Sequence, residues 1–300
     1  MDARTRFRTQ LVGALPAITH YFDELDLAAT IDRLVPWEGD VPLGTLAEVL
    51  IANRLLQPKA LFRIGSWAQS AALTDYYGLT PGQLNDDRLG RALERLAAHA
   101  DAVQAALVLA AIDRFGLDVT QVHFDLTTVE LYGAYEAADG PAGPGPKPAY
   151  ALKTNLPART HPVAEVLRAY MGQSRVERRF HHLKGPLAVA PMFLKNPGRI
   201  AGLLCILVWA LMVLALMERR ARRDLGGEPL YGLYPEGRPN SSPTGPSLIE
   251  GLSGLCIVTV HQGDVVVRRL AEPDPVQRRI LQLLGVNAER LQTFRRRCGM

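Results

Sequence analysis

The chain has 300 residues, with 34 Lys and Arg against 30 Asp and Glu, 48% apolar and 21% charged residues, and three cysteines. This composition excludes a disordered chain, because it supplies ample apolar area for a core. It also excludes a disulfide scaffold, since Cys205, Cys256 and Cys298 are odd in number and form no CxxC pair. No apolar h-region follows Arg4, Arg6 and Arg8, so no signal peptide is read, and a reducing cytoplasm is the expected compartment.

Residues 1–115 read as an N-terminal helical domain. Apolar positions recur at three- and four-residue spacing in Leu43 to Leu61 and in Leu89 to Leu96, punctuated by Pro36, Pro42, Pro58 and Pro81. A turn over Leu79 to Asp87 precedes a helix continuing from Arg88, and a longer helix is expected from about Ala102 to Phe115. The pattern then changes. Asp118 to Tyr132 is rich in β-branched and aromatic residues and reads as two strands joined near Asp125 to Thr127. The Gly/Pro run from Ala138 to Pro148 holds neither ladder nor helix and marks a junction over 138–149. Tyr150 to Asn155 reads as a short strand, and a helix opening at Pro162 runs to about Leu183.

Ile200 to Met217 is an uncharged run of 18 residues, at the lower edge of bilayer-spanning length. Arg199 precedes it and Arg219, Arg220, Arg222 and Arg223 follow, so the flanks give no orientation bias. The preferred reading is a buried core helix, with membrane association the weaker alternative and no membrane partner expected. Residues 226–300 read as a C-terminal tail. A Gly/Pro/Ser-rich stretch leads to a small hairpin, Leu255 to Val260 with Asp264 to Leu270, and then to a basic helix from about Pro275.

Charge is concentrated. Between Arg168 and Arg199 stand seven Lys or Arg residues and one acid, Glu177, which suggests a surface for a polyanion such as nucleic acid. On the helix from Pro162, Tyr170, Glu177 and Lys184 are spaced by seven and project from nearly one face, shared with Gln173 and His181. Val176, Phe180 and Leu183 supply an apolar stripe. Two readings of this helix stand open: a carboxylate that ligates a metal beside a phosphate backbone, or an amphipathic helix whose Glu pairs with neighbouring Arg.

The stretch Tyr170-Met-Gly-Gln-Ser-Arg-Val-Glu-Arg-Arg-Phe-His-His-Leu-Lys184 resembles the carboxy-terminal signature of insertion-sequence DDE transposases, specifically the IS four-like group. The strand His123-Phe-Asp-Leu-Thr-Thr resembles that family's first catalytic strand, and Asn85-Asp-Asp-Arg-Leu-Gly-Arg-Ala-Leu its N-terminal helical region. The resemblance implies an RNase H-like sheet in which Asp125 and Glu177 are catalytic and bind Mg²⁺ or Mn²⁺. It also implies Tyr170 and Lys184 as contacts to double-stranded DNA at transposon ends, with Arg175, Arg178 and Arg179 as further basic contacts. Gln173 stands where the pattern has an arginine; Arg175 offers a partial replacement.

A second departure bears on activity. Only 52 positions separate Asp125 from Glu177, and the sole aspartate between them, Asp139, lies inside the Gly/Pro run. Two carboxylates offset too little charge to hold two divalent ions firmly, so metal binding is expected to be weak. The expected fold is therefore α+β or α/β: an N-terminal helical domain, then residues 116–225 as an incomplete RNase H-like core containing a buried apolar helix, then the tail. The expected function is that of an internally shortened transposase that binds DNA with impaired cleavage. A non-catalytic DNA-binding regulator is the alternative. A sheet lacking its middle strands exposes edges, so a homo-oligomer is anticipated.

Overall fold

The computed structural model describes residues 6–119, 194–234, 236–262 and 265–287. Within them the helices are α1 (Leu15–Glu24), α2 (Leu27–Leu34), α3 (Leu43–Leu56), α4 (Ile64–Ser70), α5 (Leu73–Tyr77), α6 (Asp86–Ala98), α7 (Ala100–Phe115), α8 (Pro197–Leu225), α9 (Gly245–Gly251) and α10 (Pro275–Leu283). The strands are β1 (Arg6–Leu11), β2 (Cys256–Gln262) and β3 (Val265–Leu270). The described part is mixed helix and small antiparallel sheet, mostly helical.

The expected apolar helix is the 29-residue α8. The Asn196 side chain starts it by accepting from the backbone N–H of Gly198 at 2.8 Å and of Arg199 at 3.2 Å, and Gly226, left-handed at φ 61°, ends it. By length and composition α8 is able to cross a membrane, yet 61% of its most apolar window is buried within the fold. Ile206, Leu207, Ala210, Val213 and Met217 are fully enclosed. Each large side chain of this kind contributes about 1.5–3 kcal/mol when removed from water. The outward side keeps Ala201 and Val208 exposed, with Leu204, Cys205, Leu211 and Met212 half-buried.

Two helices define the surroundings of α8. At its N-terminal end α6 crosses so closely that a methyl group on Gly202 would collide with the backbone carbonyl of Leu93. Arg199 spans the same crossing, pairing with Glu94 at 2.7 Å. The chain then bends by 78° between α6 and α7. Helix α7 runs parallel to the C-terminal half of α8, since Trp209 Nε1 donates to Gln104 Oε1 at 2.8 Å while Arg219 donates to the carbonyls of Phe115 and Gly116 at 3.0 and 3.2 Å.

Helix α3 is buried almost all round. A second close crossing lies at its start, where Gly44 meets the backbone of Ala28 in α2 and its N–H donates to Asp32 at 2.7 Å. Its buried polar groups hold the next loop: Asn53 donates to the Gln57 carbonyl at 2.9 Å, and Arg54 Nη2 to the Lys59 carbonyl at 2.7 Å. Burial lowers the Arg54 pKa to about 10, so the guanidinium still carries its charge at neutral pH.

The hairpin β2–β3 forms as the sequence suggests, but β1 was not anticipated. It pairs antiparallel with β2, from Arg6 opposite His261 to Leu11 opposite Cys256, and gives the sheet order β1-β2-β3. This is the one sheet among the described residues. The strand pair expected near Asp125 and the strand at Tyr150 lie outside them, as does the helix from Pro162, so no RNase H-like core is established.

Two stability predictions follow from the packing. Gly202→Ala should lower unfolding stability by at least about 2 kcal/mol, read from the midpoint in urea, because the added carbon meets backbone rather than a flexible side chain. The second concerns Tyr21, which is fully buried, stacks on Phe115 and donates to the Leu284 carbonyl at 3.4 Å. Burial, seconded by Asp224 and Glu24 against Arg220 and Arg223, pushes its phenol above the ordinary value. The unfolded chain therefore loses this proton first, near pH 10, and stability falls with rising pH by up to about 1 kcal/mol per unit. Thermal unfolding between pH 8 and 11 should show a shallower alkaline fall in Tyr21→Phe than in the parent.

Candidate functional site

Asp125, Glu177, Tyr170, Gln173, Arg175, Arg178, Arg179 and Lys184 all lie outside the described residues. The structure describes the frame that bounds them. The chain leaves this frame after α7, whose C-terminal carbonyls are held by Arg219 near the far end of α8, and returns at Leu194, just before the first turn of α8. From residue 197 to residue 219 the helix rises by about 33 Å at 1.5 Å per residue. The points of departure and return therefore sit at opposite ends of α8.

The basic residues flanking α8 are drawn into the fold. Arg219 closes the end of α7, and Arg222 pairs with buried Glu218 at 2.9 Å while donating to the Pro243 carbonyl at 2.9 Å. Arg220 and Arg223 share Asp224, and the hydrogen bond that Arg223 donates to this carboxylate raises the Arg223 pKa. Arg199, the last of the seven clustered cations, is committed to Glu94. The basic flank that follows the apolar run thus supplies helix-end and ion-pair contacts at this end of α8.

A cleft of about 450 Å³ opens between β1, the turn that leads into α1, α4 and α9, with Trp67, Gln57, Ser70 and Glu250 among its walls. Next to it Gln10 is buried and donates to the Gln69 carbonyl at 2.8 Å. Arg268 of β3 pairs with Asp75 and donates to Thr259 Oγ1 at 3.3 Å. These contacts fasten the sheet to α4 and α5; a reacting group is not among them. Among the described residues no group of three or more His, Cys, Asp and Glu is arranged to hold a metal ion. Cys205 and Cys256 are free thiols, and burial raises the Cys205 pKa.

The family model described as a domain of unknown function (DUF4277) matches residues 7–109, roughly a third of the chain, from the second residue of β1 into α7. No curated protein and no solved structure matches the chain significantly.

The ion pair at the C-terminal end of α8 carries a prediction of its own. Glu218 also accepts the Gly245 N–H at 3.0 Å, so Glu218→Ala strands a buried donor and half of an ion pair whose arginine is a third exposed. The loss should be about 1–3 kcal/mol in urea unfolding, with faster proteolysis in 226–244.

Proposed function

We propose that the chain is a DNA-binding protein of the insertion-sequence DDE transposase type, internally shortened and impaired in phosphodiester cleavage. The observation that carries this reading is the sequence Tyr170 to Lys184, with the strand around Asp125 and the helical region around Asn85 in the order the IS four-like group has them. Two further observations support it. The matched domain is one found in transposase-like proteins, and a long buried helix follows the signature, as it does in that group. The working compartment is the cytoplasm, and the partner is double-stranded DNA bearing the ends of the element.

In this reading Asp125 and Glu177 hold Mg²⁺ or Mn²⁺, which supplies Lewis acidity at the scissile phosphate when bound. Lys184, Tyr170, Arg175, Arg178 and Arg179 hold the backbone in line, with Gln173 making a weaker contact than the arginine of the pattern. Without a second strand-borne aspartate, Asp125 and Glu177 alone would offset too little of the charge of two divalent ions. Cleavage is therefore lost before binding is.

A gel assay with end-bearing DNA and Mg²⁺ or Mn²⁺ tests this. The expected result is salt-sensitive binding without nicking or strand transfer. Nicking that vanishes in both Asp125→Asn and Glu177→Gln would overturn the loss of activity and make Asp139 the first candidate for a third ligand. A second reading, a regulator that occupies element ends in competition with a full-length enzyme, requires affinity for ends above that for random duplex at physiological salt.

A further inference from the structure

We infer that the β1 face carrying Arg6 and Arg8 is a contact surface for the phosphate backbone of duplex DNA, separate from the clustered cations of residues 168–199. The inference rests on the DNA-binding reading and adds a surface to it. The three strands together carry four arginines, Arg6, Arg8, Arg268 and Arg269, one histidine, His261, and no acid. Alternation along a strand puts Arg6, Arg8 and Gln10 on one face. The register sets Arg8 opposite Thr259, which stands opposite Arg268, and Arg6 opposite His261, so these residues share that face.

Their commitments differ. Gln10 is buried against Gln69 and Asp75, and Arg268 is neutralised by Asp75. Arg6 and Arg8 are exposed, and no carboxylate among the described residues pairs with either. Two arginines without a carboxylate partner among the described residues therefore have their backbone positions about 7 Å apart along a strand paired over its whole length. Because they form a row rather than a converging set, they suit a linear polyanion better than a small anion. A DNA duplex presents such a row, with one charge per about 1.7 Å of its axis. Burying unpaired cations against protein is unfavourable, whereas phosphate contact releases counterions. Arg269 is exposed on the opposite face and serves as the internal comparison.

Fluorescence anisotropy of the full chain with a labelled random duplex, measured from 50 to 400 mM KCl, tests the surface. Arg6→Gln/Arg8→Gln should flatten the plot of log K against log salt by about 2 and weaken binding about 10- to 100-fold at 0.1 M salt. The charge-keeping Arg6→Lys/Arg8→Lys should restore the parent slope, and Arg269→Gln should leave it unchanged. Equal unfolding midpoints show that β1 still pairs. If the parent binds with a steep slope and Arg6→Gln/Arg8→Gln matches it, or if Arg269→Gln flattens the slope as much, this surface is wrong and the DNA-binding reading stands. If the parent shows no salt-dependent binding, that reading fails and the surface fails with it.

Discussion

The uncharged run 200–217 within α8 is costly to leave in water, and the arrangement of the other helices follows from covering it. Helix α6 is admitted to backbone distance only because Gly202 has no side chain, and α7 lies alongside the remaining half through Trp209 and Arg219. Helices α9 and α10 close the C-terminal end, where Glu218 receives the Gly245 N–H. Because α7 and α8 run parallel, the length of α8 also fixes how far apart the two ends of the intervening chain stand.

Charge in the sequence and charge on the surface are different quantities in this molecule. Arg219, Arg220, Arg222 and Arg223 form the densest basic run among the described residues, yet their guanidinium groups are largely occupied by helix-end carbonyls, Glu218 and Asp224. Arg54 is buried outright, its Nη2 satisfied by the Lys59 carbonyl. The arginines of β1 are fewer but unengaged. Availability of positive charge thus depends on which carboxylates and carbonyls the fold brings near, and not on how densely the sequence packs its arginines.

Much of the helical frame was legible from the chain. Asn85 before Asp86 and Asp87 is a start signal, and its side chain does cap α6 by accepting the Arg88 N–H at 2.9 Å. The hairpin and the start of α10 at Pro275 were visible in the sequence; the capping box between Asp274 and Gln277 and the stop at Leu283, before Gly285 at φ 73°, were not. Strand β1 escaped notice because Arg4, Arg6 and Arg8 were weighed only against a signal peptide, and because the strand's partner lies about 250 residues away. The candidate catalytic residues were legible only through the resemblance of their motif; their own positions fall outside the described residues, and their frame alone bears on them.

The pairing of β1 with β2 has a consequence for biosynthesis. Residues 6–11 find their ladder partner only in residues 256–262, so the first strand to leave the ribosome waits for nearly the whole chain before it is paired. Throughout that interval a strand bearing Phe7 and Leu11, both largely exposed even in the finished fold, presents an open edge. The neighbouring Arg6 and Arg8 make that edge self-repelling toward a second copy. The same two side chains therefore act as gatekeepers for the nascent chain before any ligand is met.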